Sequence, residues 1–145
     1  MNKLLATSND SLLTLMRLAL GIVFFAHGSQ LVLGWFGGYG YTASMHAFTQ
    51  DMHIPAVFAF LAIMAEFLGG LGLIVGLLGR VAAFGILATM LVAVVKVHFG
   101  FGYFMNWFGN LKGEGYEYNL LAIVIAIVLI VRGSGALSID RALAK

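Results

Sequence analysis

The sequence predicts an all-α membrane protein, a four-transmembrane-helix bundle with a short interfacial helix in its first outer loop. Three observations carry that prediction. Of 145 residues, 61% are hydrophobic and only 10% charged, and a mean hydropathy of +1.00 does not belong to a water-soluble domain. Four apolar segments, at 12–34, 56–78, 81–104 and 116–132, meet or approach the roughly 20 residues a helix needs to cross about 30 Å of hydrocarbon. The 19 glycines against 1 proline suit helices that approach closely without breaking.

The first segment reads as a retained span, because Arg17 interrupts its apolar run and no small-x-small cleavage site follows Ala26. The link from Trp35 to Pro55 carries Tyr41, Met45, Phe48 and Met52 at helical spacing, opposite Ser44, Gln50 and Asp51. That pattern suits a short helix in the interface, acting as a lid or simply packed on the surface. In the second span, Gly69, Gly70 and the Gly72-x-x-x-Gly76 pair offer a thin face for close packing. The third span runs into Gly100-Phe101-Gly102 and a second link, 105–115. The fourth is shortest, but Leu120 through Val131 is an unbroken run of 12 apolar residues. No internal repeat is visible, and residues 1–145 form one domain.

Lys3, Arg80, Arg132, Arg141 and Lys145 fall on one side of this arrangement and only Lys112 on the other, so the positive-inside rule places both termini in the cytoplasm. Trp35, Phe36, Phe101, Tyr103, Phe104, Trp107, Phe108 and Tyr116 gather at the outer boundary as an aromatic belt would; a quinone or sterol platform is the alternative. The net charge of +2 is scattered singly, which excludes a nucleic-acid-binding stripe. With 0 cysteines, thiol chemistry and iron–sulfur ligation are absent from the chain itself, so a redox role needs a bound cofactor or a partner. Phosphate-loop, zinc-protease and serine-nucleophile motifs are lacking, and His46 and His53 read as exposed loop residues.

The informative residues are polar groups inside the apolar spans: Arg17, His27 and Gln30 in the first, Glu66 in the second, Lys96 and His98 in the third, Glu117 and Asn119 in the fourth. Each charge costs about 2.5–3.5 kcal/mol near the bilayer centre, so together they must be paired or wet. Two positive and two negative charges balance, which suits a buried ion-pair network. At 1.5 Å per residue, His27, Lys96, His98 and Glu66 lie roughly 18–25 Å from the cytoplasmic ends and Arg17 about 8 Å, within reach of Glu66 on an upward-pointing stem. Helical angles place Lys96 and His98 on different faces, and likewise Glu117 and Asn119. His98 and Glu117 are expected inward, with Lys96 snorkelling or touching Glu66. The network serves either as a staple fixing helix register or as a working site. Hydrogen bonding to the network or to a quinone carbonyl is favoured for His27 and His98 over ligation of haem or metal.

These fragments, in order, resemble the DoxX family of small four-span bacterial membrane proteins: Arg17-Leu-x-Leu-Gly21, Phe25-x-His27-Gly28, Ala65-Glu66-x-x-Gly69-Gly70, Val97-His98, Gly115-Tyr116-Glu117-Tyr118 and the tail Gly135-x-Leu137-Ser138-Ile139-Asp140-Arg141. Gln30 stands where many members carry Lys. The resemblance implies a bacterial inner-membrane protein whose functional positions are Arg17, His27, Glu66, His98 and Glu117. Relatives are linked to thiosulfate:quinone oxidoreductase and other membrane oxidoreductase complexes. The expectation is therefore a membrane redox component, possessing a polar pocket and acting with quinone or a small electron donor. Its catalytic or ligand-contacting groups would be His27, Glu66, His98 and Glu117, its pocket or ion-pair groups Arg17, Gln30, Lys96 and Asn119. Electrons would come from a protein partner, with self-association a further option. The alternatives are a non-catalytic binder, carrier or assembly subunit and, lacking the repeated halves common in transporters, a proton-coupled transporter.

Overall fold

In a computed structural model, residues 3–144 are described; Lys145, counted above with the basic side, lies outside them. Helix α1 (Ser11–Leu33) starts where Asp10, extended at φ −126°, accepts from the amides of Leu12 and Leu13. That caps two of the donors a helix start leaves free. It stops at Gly34, whose φ of 71° only glycine adopts readily. A short α2 (Gly40–His46) runs into a π-helical turn, Ala47–Asp51. Helix α3 (Ala56–Val75) ends three residues before the expected boundary, because Gly76 (φ 73°) and Leu78 (φ 51°) turn the chain into α4.

Helix α4 (Gly79–Ala93) continues through a π-helical turn (Val94–His98) and a 3-10 turn (Phe99–Phe101). Helix α5 (Glu117–Arg132) follows the second link, and a short α6 (Ile139–Leu143) starts on the hydroxyl of Ser138.

The α1, α3, α4 and α5 helices pack in a ring: α1 on α3, α3 on α4, α4 on α5, and α5 back against α1. Leu20, Phe24, Leu73, Ile86, Met90, Ala122, Ala126 and Leu129 fill its centre. In lipid such packing depends on close van der Waals fit and not on hiding apolar surface from water. Glycine supplies that fit at the α1–α3 seam. A Cβ on Gly28 would collide with the backbone of Phe67, and one on Gly70 with the backbone of Phe25.

Three helical stretches are long and apolar enough to cross a membrane: Ser11–Leu33, Ala56–Val75 and Gly79–Phe101. Helix α5, with 16 residues, covers only about 24 Å. The residues around Thr7 and Asp10 bind the 135–136 backbone (Gly135 N to Thr7 Oγ1, 2.7 Å; Ala136 N to Asp10 O, 3.0 Å). Both ends of the described chain therefore share one end of the bundle, the terminal end, and the links 34–55 and 99–116 form the opposite, loop end. A short helix does occupy the first link; Met45, Phe48 and Met52 are half-buried and Gln50 and Asp51 exposed, as expected, while Tyr41 and Ser44 exchange places. Ser44, assigned to its polar face, is buried, because α2 packs on both α1 and α3.

Candidate intramembrane polar site

The polar residues of the spans separate into three groups. Among the described residues, Arg17, Glu66, Lys96 and Glu117 form no ion pair with one another, so the expected four-charge network is replaced by different contacts for each charge.

Arg17, 1% exposed, turns toward the terminal end. Its guanidinium donates to the carbonyls of Ser134 (2.8 Å), Leu73, Ile74 (2.8 Å) and Leu137 (2.6 Å). Leu73 and Ile74 close α3, so Arg17 satisfies carbonyls that a helix end leaves free and places a cation at the negative pole of its dipole. Arg80 does the same for α5, donating to Ile130 and Val131 while holding Ala6. The electrostatic counterpart of Arg17 is Asp140, not Glu66. Asp140 is itself buried, accepting from the amides of Leu78 (2.7 Å) and Gly79 (2.9 Å) and from Ser134 Oγ (2.5 Å). The tail is thus clamped across the α3–α4 turn. Asp140 and Ser134 were missed as buried polar residues; the Ser138-x-Asp140 start of a short amphipathic helix was the available signal.

At the loop end, Glu117 and His98 serve the second link. Glu117 Oε1 accepts from Met105 N (3.0 Å) and Trp107 Nε1 (2.9 Å), and His98 Nδ1 meets Glu114 O at 2.8 Å. Both were expected inward; in the structure Asn119 takes the inward face of α5, and Glu117 sits at its rim. Lys96 is exposed, which selects the snorkelling alternative.

The third group lies in the loop half of the bundle. Glu66, 8% exposed, is level with the His27–Gly28 turn, since Gly28 abuts the Glu66–Phe67 backbone. No described residue donates a hydrogen bond to its carboxylate. Tyr118 lies within electrostatic reach of Glu66, and its ring stands 6.4 Å from Phe24 and 6.1 Å from His27. Its hydroxyl is buried without a partner, as is Oδ1 of Asn119, whose Nδ2 reaches only Met90 Sδ at 3.3 Å. His27 is exposed and, with Ala26, Gln30 and Phe36, lines an open recess of about 170 Å³. Gln30 donates to Phe36 O at 3.2 Å, fixing one wall of that recess.

Tyr118 is the functional candidate that sequence reading missed. It sits between Glu117 and Asn119, and only the rotation of α5 shows that it turns toward His27. The group can donate and accept hydrogen bonds and hold a proton away from water. Among the described residues no cluster of three or more His, Asp or Glu could hold a metal ion.

No curated protein and no solved structure matches the chain. The family model described as DoxX matches residues 12–99, a stretch that contains Arg17, His27, Glu66 and His98 and stops short of Tyr118. Because that match covers more than half of the sequence, the chain belongs to the DoxX family.

Proposed function

We propose that this protein is an integral membrane redox component that binds the head group of a lipid-soluble quinone in the loop half of its bundle. The observation that supports this reading most is the buried Glu66 without a hydrogen-bond donor together with the partnerless Tyr118 hydroxyl and Asn119 Oδ1, linked to the recess of Ala26, His27, Gln30 and Phe36 through the His27 ring, 6.1 Å from that of Tyr118. A polar group buried without a hydrogen bond costs roughly 1–3 kcal/mol, so a ligand that supplies those bonds binds with a ready gain. The recess is smaller than the roughly 300–1,000 Å³ of a complete small-molecule pocket, which suits a single ring inserted from the bilayer with its tail left in lipid.

In this reading His27 and Tyr118 hydrogen-bond the carbonyl oxygens, and Glu66 holds a proton. Gln30 positions Phe36 at the mouth, and Asn119 Oδ1 accepts from a hydroxyl of the reduced quinol form. Quinone supplies the redox chemistry when bound, and a protein partner supplies the electrons. Helix α5 is taken as the fourth crossing. The basic terminal end, carrying Lys3, Arg80, Arg132 and Arg141, faces the cytoplasm of a bacterial inner membrane, following the charge bias.

The test is quinone binding to purified protein in lipid nanodiscs. Saturable binding weakened by Tyr118→Phe, His27→Ala and Glu66→Gln is expected, with Glu66→Gln folding normally because its carboxylate has no bonds to lose. Absence of binding to the native chain overturns the proposal. Capture of quinone without reduction by any membrane electron donor moves the protein to the carrier or assembly-subunit reading.

A further inference from the structure

The second link has the construction of a membrane-embedded element. Helix α5 spans about 24 Å where the hydrocarbon measures about 30 Å, while α1 and α3 cover about 34 and 30 Å. A crossing through α5 therefore falls short by about 6 Å, a mismatch that bilayer or protein must absorb. The shortfall does not lie at the terminal end, where Arg132 is exposed and Arg80 binds the last carbonyls of α5. It lies above Glu117, where the link folds back over the start of the helix.

From Phe99 to Leu111 that link contains no Asp, Glu, Lys or Arg. It exposes Phe99, Phe101, Phe104, Trp107 and Phe108, the last two at 77% and 90%. Non-helical backbone survives in lipid only when its polar groups are satisfied within the protein. Here many of them are. Gly115, Tyr116 and Glu117 donate to the carbonyls of Phe104, Gly102 and Tyr103 as in a hairpin (3.1, 3.2 and 2.9 Å). Met105 N binds Glu117, Asn106 N binds Glu114 at 2.7 Å, and Asn106 closes the tip on both the amide and the carbonyl of Leu111. The bond from Trp107 Nε1 to Glu117 draws the indole down to the head of α5.

We infer that residues 99–111 are seated in the bilayer at the boundary of acyl chains and head groups, where they complete the crossing that α5 begins. The partner of this aromatic surface is lipid. The inference rests on α5 crossing the membrane and is independent of any ligand at His27.

The chain holds 2 tryptophans, Trp35 and Trp107, so Trp35→Phe leaves Trp107 as sole reporter, and Trp35 is itself half exposed and dispensable to the core. In phosphatidylcholine vesicles, lipids brominated high on the acyl chain are expected to remove most Trp107 emission, with lipids brominated near the chain end and aqueous iodide removing little. Adding Glu117→Ala should shift the emission toward that of water-exposed tryptophan while the helical content is kept. Strong iodide quenching with little effect of brominated lipid overturns the inference, and so does protection from both, which would assign the surface to a second copy of the chain. Impermeant labelling of Lys112→Cys and Arg141→Cys in sealed vesicles, from opposite faces if α5 crosses, separates failure of this inference from failure of the fourth crossing.

Discussion

Replacing Arg17 tests what a buried cation does in this bundle. Its guanidinium serves four carbonyls on two segments, the end of α3 and the 134–137 tail. At roughly 1.5–3 kcal/mol per charged hydrogen bond, a simple sum is about 6–12 kcal/mol. Water reaching the vacated carbonyls at this end recovers part of it. The expected cost of Arg17→Ala is therefore about 3–5 kcal/mol, the range for breaking a buried charged contact. Arg17→Lys keeps the charge but loses the fork that spans both segments, and about 2 kcal/mol is expected. The assay is reversible unfolding in bicelles, extended to a double-mutant cycle with Glu66→Gln. Arg17 contacts α3 seven residues below Glu66, a rise of about 10 Å, so a coupling below about 0.5 kcal/mol is expected. A cost under about 1 kcal/mol for Arg17→Ala, against the 3–5 expected, or a coupling above about 1 kcal/mol with Glu66, beyond the additivity limit, refutes the placement.

Asp140→Ala removes the cap on the Leu78 and Gly79 amides and the bond to Ser134; a loss of about 1–3 kcal/mol is expected, with protease cleavage after Arg132 or Arg141 accelerated as the tail detaches. Gly28→Ala forces a methyl into the backbone of Phe67, and a destabilisation of about 1–3 kcal/mol is expected, whereas Gly100→Ala, where a Cβ meets nothing within 4 Å, is expected to melt like the native protein. Because the chain carries 0 cysteines, single-cysteine variants at Lys3, Lys112 and Arg141 report topology directly. Four crossings predict that Lys3→Cys and Arg141→Cys label from one face of sealed vesicles and Lys112→Cys from the other.

The helices were legible in the sequence because lipid imposes a length and a composition that few residues can violate, and α1 departs from its expected range by a single residue at each end. The boundary after Val75 was not, because it depends on the backbone angles of Gly76 and Leu78 and not on hydropathy. The site was legible in its membership more than in its contacts. Hydrophobic cost flagged Arg17, Glu66 and Asn119 as residues needing an explanation, and all three are buried. The same cost says nothing about what satisfies them. Charge balance suggested that Arg17 and Glu66 meet, yet backbone carbonyls at a helix end are as good an acceptor set for a guanidinium and carry no side-chain signature. Glu117 and Asn119, two positions apart, could not be ranked without the rotation of α5, which also hid Tyr118. Once Arg17 is taken up by carbonyls, Glu66 is left as a carboxylate with no cation in contact, and that is a stronger reason to look for a ligand beside it than the ion-pair network would have been.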